Sequence, residues 1–175
     1  GIPENKIKIM GQPYLQSILS IRPVFGNETL VAIQEISSEM ALKLGYDHLT
    51  FLKIILDLDS EFLKQMNVRF SSPKGSQELK DFFQSITRVC EVGKGVEDFK
   101  GCNTVLGMYS TQLITGYLLD RKAVSIQPFS PKIDPCPLSR WGLIPRVNST
   151  AELKKSIESP QIENSGKDTN IENEK

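Results

Sequence analysis

The sequence predicts an α/β fold built on a doubly wound, mostly parallel sheet. Three observations carry this reading. Short apolar runs rich in β-branched residues, such as Leu30–Ile33 and Thr104–Leu106, recur along the chain. Each is followed by a segment with apolar residues three or four apart, the period of an amphipathic helix. Between them stand Ser, Thr, Asp or Gly, the residues that start and stop helices. Five or six strands alternating with helices call for parallel pairing, with helices on both faces.

Each element has its own justification. After "KIKIMGQPYLQSIL", the run Leu30–Ile33 reads as a buried strand. Ser37 or Ser38 caps a helix through "SEMALKLG", which Gly45 ends. "HLTFLKIILDLDSEFLKQM" reads as one helix, with Leu49, Leu52, Ile55, Leu58 and Phe62 on its apolar face and Asp57, Asp59 and Glu61 on its solvated face. "NVRFSS" reads as a second strand, broken by Pro73, and Ser76 opens the helix "SQELKDFFQSI". "TRVCEV" is a strand, "GKGVEDFKGCN" a loop with a helical turn, "TVLGM" a strand, "STQLITGYLLD" a helix and "KAVSIQP" a strand. "PFSPKIDPCPLSRWG" reads as an irregular loop and "LIPRV" as a last short strand. "STAELKKSIE" carries a capping box, Ser149 at the cap and Glu152 three residues on. Residues 1–158 then form a single Rossmann-like domain. Residues 159–175 are polar and apolar-poor, the composition of a disordered tail.

Composition narrows the function classes. At 175 residues the chain suits one domain with a real core. Lys+Arg and Asp+Glu balance at 21 each, so no global field recruits nucleic acid. No apolar run approaches the roughly 20 residues of a transmembrane segment. "GIPENKIKIMGQP" has no apolar signal core. Cys90, Cys102 and Cys136 are odd in number and widely spaced, as expected for reduced thiols in the cytoplasm. His48 is the only histidine. With no cysteine near it, no metal is expected; it suits a surface role at a helix start where Asp47 is the better cap.

In a parallel sheet, ligands bind beyond the carboxyl ends of strands, near a topological switch point. Two turns there have the composition of an anion site. In "GMYST", Gly107 lets the backbone approach closely, and Tyr109, Ser110, Thr111 and the first helical N–H groups would hold phosphate oxygens. The alternative is a plain hydroxyl cap. In "FSSPKGS", Ser71, Ser72 and Lys74 fit an anion pocket; the alternative is a Ser-Pro turn with a solvated lysine. Neither turn has the spacing of a Walker loop or a dinucleotide fingerprint. Glu91, Glu97 and Asp98 lie near a loop that could face a ligand. Trp141 either stacks on a ring or anchors its loop.

With those loops in place, the chain resembles the C-terminal, donor-binding half of two-domain glycosyltransferases of the GT-B fold, over about residues 6–158. "CNTVLGMYSTQLITGYLLDRKAVSIQPF" is similar to that family's strand, hydroxyl-paired turn, helix, and strand ending near a proline. "KIMGQPYL" looks like the entry into the second domain. "VRFSSPKGS" stands in the place of the His-Pro turn of bacterial sialyltransferases, polysialyltransferases and capsule or teichoic-acid polymerases. The resemblance implies that Ser110 and Thr111 match the hydroxyl pair that grips the donor phosphate, and that Pro73 matches the proline. Ser72 stands where the histidine would be; it can donate a hydrogen bond but carries no imidazolium charge. Thr115 replaces the glutamate that holds the ribose, and Asp120–Arg121–Lys122 replaces Gly-Lys-Pro. By the same resemblance, Gly107, Tyr109, Ser110, Thr111, Ser72 and Lys74 hold the phosphate without a metal or other cofactor. Gly93, Gly95, Thr115 and Gln127 lie toward the base or ribose.

The expected function is therefore the nucleotide-sugar-binding half of a glycosyltransferase-like protein in surface polysaccharide or glycolipid synthesis. Its substrate is a nucleotide-activated sugar, with a CMP-linked donor the nearest match. The acceptor site and catalytic base would belong to a missing N-terminal domain or a partner chain, which could also bring it to the inner membrane face. Two alternatives remain, a non-catalytic interaction or regulatory domain with a degenerate half fold, and a sugar-nucleotide epimerase half.

Overall fold

The computed structural model describes residues 18, 26–70, 77–87, 89–92, 95–129 and 133–159. Among the described residues, six strands form one sheet: β1 (Glu28–Ile33), β2 (Met66–Phe70), β3 (Val89–Val92), β4 (Cys102–Gly107), β5 (Lys122–Ile126) and β6 (Arg146–Val147). Their order is β3-β2-β1-β4-β5-β6, and every neighbouring pair is parallel. The chain builds outward from β1 to β3, returns to lay β4 beside β1, and builds outward again. This is a Rossmann-like α/β fold with its switch point between β1 and β4.

Helices cover both faces. Those with described bounds are α1 (Ser38–Leu44), α2 (His48–Leu56), α3 (Ser60–Lys64), α4 (Gln77–Ile86), α5 (Thr111–Leu118), α6 (Pro137–Arg140) and α7 (Thr150–Glu158), with a 3₁₀ turn at Gly95–Phe99. Alternate strand residues feed opposite apolar clusters, as the period of two requires. Val31, Leu106 and Val124 join Phe51 and Ile55 of α2 and Leu153 of α7. Their neighbours Leu30, Val105 and Ala123 join Leu113 of α5, Leu138 of α6 and Phe99. Burial on both sides explains why the strands read as continuous apolar runs.

Local signals account for most boundaries. Ser37 accepts a hydrogen bond from the Met40 N–H to start α1, and Gly45, at φ 77°, ends it in the left-handed region. Gly116 lets α5 settle onto β4, since a Cβ there would lie 2.7 Å from Val105 Cγ2.

Three expectations are corrected. The long helix is two: α2 ends at Asp57, and Asp59 starts α3 by accepting from the Phe62 N–H at 2.9 Å. Asp59 is thus a cap rather than part of a helix body, and Leu49 is exposed. The proline-rich segment contains α6, with Pro137 in its first turn, where a missing N–H costs nothing. In the capping box, Ser149 accepts from the Glu152 N–H, but the Glu152 carboxylate accepts from Asn148, one residue before the cap. The segment "KIMGQPYL", Pro73, Ser76 and residues 160–175 of the expected tail lie outside the described residues.

Candidate anion site at the switch point

Beyond Gly107 the chain turns through Met108 and Tyr109 into Ser110, the N-cap of α5. The Ser110 hydroxyl accepts from the Gln112 N–H at 3.2 Å, and its carbonyl accepts from the Leu113 N–H at 3.0 Å. Thr111, the first helical residue, is exposed. The turn is tied to the next strand by Ser125 Oγ, which donates to the Met108 carbonyl at 2.5 Å. Tyr109 packs against both apolar clusters, and burial pushes its phenol pKa up. A capped helix start therefore stands at the switch point, with the positive end of its peptide dipoles turned toward solvent.

Gln127 follows β5 and is fully buried. Its Nε2 donates to Ser125 Oγ at 2.9 Å and to Asp134 Oδ1 at 2.5 Å. Asp134 also accepts from the Cys136 N–H at 2.8 Å and the Ser139 hydroxyl at 2.6 Å, and the Arg146 guanidinium lies 3.8 Å away. This carboxylate gathers the segment after β5 into one unit.

Because β4 and β5 are adjacent, Gly107, Tyr109, Ser110, Thr111 and Gln127 gather at one end of the sheet. Thr115 is buried within α5 at 2% exposure. Gly95, at φ 75°, opens the 3₁₀ turn on the return from β3 to β4. Ser71, Ser72, Lys74 and Gly93 lie outside the described residues. β2, which precedes the first three, is separated from β4 by β1, so the two anion-type turns follow strands that are not neighbours.

Other expectations resolve differently. Asp98 does not face a ligand: it is buried, and Arg69 Nε donates to it at 2.5 Å. Glu97 pairs with Lys100 at the surface. Trp141 is exposed rather than anchoring its loop. His48 is half-buried, with Nδ1 lacking a partner, beside an apolar groove lined by Ile36, Ala41 and Leu42. Cys102 and Cys136, by contrast, are free thiols as expected, and both are buried.

Sequence reasoning missed Tyr46. It is buried, with its hydroxyl unpaired, and Tyr109, Asp134 and Arg146 lie within electrostatic range. The available signal was its place directly after the helix-ending Gly45, where an apolar side chain commonly turns inward.

Searches against protein-family models, curated proteins and solved structures return no match for this chain. Among the described residues, no helix is long and apolar enough to cross a membrane, and no group of three His, Cys, Asp or Glu side chains has metal-binding geometry.

Proposed function

We propose that this domain binds a nucleotide-activated sugar beyond the carboxyl ends of β1 and β4, as the donor-binding half of a glycosyltransferase-like protein. The observation that carries the reading is the position of α5. Its hydroxyl-capped start, with Thr111 exposed, stands at the reversal of strand order, where parallel sheets bind ligands. In the transfer, an acceptor hydroxyl attacks the anomeric carbon while the bond to the nucleotide phosphate breaks. The departing phosphate takes that electron pair. The Thr111 hydroxyl and the amide groups at the start of α5 would stabilise its charge. The acceptor's proton would pass to a base on a second domain or partner chain.

Calorimetric titration with CMP, CDP, UDP and GDP tests this reading, with Ser110→Ala/Thr111→Ala as the control. Saturable binding of one nucleotide, lost in a double variant that retains its circular dichroism, is the expected result. Failure of all four to bind would overturn it. One observation favours the alternative of an interaction domain: Phe129, Ile133, Trp141 and Leu143 are large, apolar and exposed within one short stretch. Stable self-association without nucleotide binding would support that alternative.

A further inference from the structure

Tyr46 is 4% exposed, and its hydroxyl finds no hydrogen-bond partner. The ring belongs to the apolar cluster around Phe51 and Leu106, which Tyr109 also touches. A buried hydroxyl without a partner lowers stability, and phenylalanine fills nearly the same volume without that cost. Groups that break the rule of polar satisfaction are concentrated where a ligand later supplies the missing partner. The same cluster holds Met108 and is touched by Tyr109, both in the switch-point turn. Tyr109 directly precedes Ser110, the cap of the eight-residue helix α5, and Asp134 lies in the segment that covers the end of β5.

We propose that the Tyr46 hydroxyl is a ligand-binding group of the same site as Ser110 and Thr111, donating its hydrogen bond to a phosphate oxygen of the bound nucleotide. This inference rests on the reading of that edge as a nucleotide site. The chemistry suits an anion. Burial holds the phenol neutral, so it remains a donor across the physiological range. Asp134 does not oppose an incoming phosphate strongly, because Gln127, Ser139, the Cys136 N–H and Arg146 already surround its carboxylate. Arg146, facing the same group, adds positive charge. The hydroxyl is buried, so a ligand reaches it only by shifting a neighbouring side chain; we assign that movement to Tyr109, which is half-buried and packs on the same cluster.

The test is Tyr46→Phe, measured by thermal unfolding and by calorimetric titration with CMP, CDP, UDP and GDP. The variant is expected to melt at the parent's temperature or above it. It is also expected to bind the parent's preferred nucleotide about tenfold more weakly or worse, the loss of one hydrogen bond to a charged group. Equal affinity would overturn the proposal. So would a fall of several degrees in melting temperature, which would assign the hydroxyl a structural partner. If the parent binds none of the four nucleotides, the site reading fails and the inference falls with it. If the parent binds and Ser110→Ala/Thr111→Ala abolishes binding while Tyr46→Phe does not weaken it, the inference alone fails.

Discussion

Arg69 Nε donates to Asp98 Oδ1 at 2.5 Å, and both side chains are buried. The pair joins β2 to the 3₁₀ turn that begins the return from β3 to β4. Arg121 donates to the Phe99 carbonyl in the same turn, and the Cys102 thiol to the Asp98 carbonyl. Asp98→Ala removes the buried carboxylate to which Arg69 Nε donates, so the expected loss is about 3–5 kcal/mol. Arg69→Met/Asp98→Leu removes both charges and is expected to lose much less. Urea unfolding of the two variants checks both expectations.

Gly116 sets how closely α5 approaches the sheet. In Gly116→Ala, the new methyl would lie 2.7 Å from Cγ2 and 3.1 Å from Cβ of Val105, a stiff β-branched neighbour. The expected destabilisation is about 1–3 kcal/mol. Val105→Ala in the same chain should restore part of it, because the obstructing methyls are gone. The comparison is by denaturant midpoint.

Ser110 has two roles that one substitution separates. As the cap of α5, its loss in Ser110→Ala is expected to cost about 1 kcal/mol. Ser110→Asp keeps a capping oxygen and suits the helix dipole, so stability should hold. The added negative charge should nevertheless repel any phosphate at that end. Preserved melting temperature with lost nucleotide binding is the expected pair of results.

Asp47 gives stability a pH dependence of known sign. The Thr50 hydroxyl first, then the Thr50 N–H, holds its carboxyl below the ordinary carboxylate range. The folded pKa therefore lies below the unfolded one. The contribution is present above about pH 4 and is lost as pH falls through the folded value. Asp47→Asn keeps an acceptor for the cap but removes the titrating charge. Its melting temperature should fall less steeply on acidification than the parent's, in melts taken from neutral pH to about pH 2.

Local chemistry made much of the fold legible. Strands buried on both faces show as apolar runs, and Ser37, Gly45, Asp47 and Ser110 act through neighbours one to four residues away. The break at Asp57–Asp59 was hidden because Leu58 falls on the expected spacing and is buried, so the helical period continues across a stop. α6 was hidden because prolines read as loop until one occupies a first helical turn. At the site, the turn after β4 could be read from its own residues. The tie from Arg69 to Asp98 spans 29 positions, and the approach of Tyr46 to Tyr109 spans more. No short-range pattern encodes either, because tertiary packing creates them.

The reversal of strand order also divides the chain cleanly along its length. Residues 28–92 supply β1, β2 and β3, and residues 102–147 supply β4, β5 and β6, so the strands of the two stretches meet only where β1 pairs with β4. A polypeptide severed between β3 and β4 would leave each trio of strands on its own fragment, with Tyr46 on one and Ser110 on the other. Reassembly of the severed pieces would depend on that single ladder and the helices packed across it. A small molecule seated there would behave as a molecular glue, turning occupancy into a fragment-complementation signal.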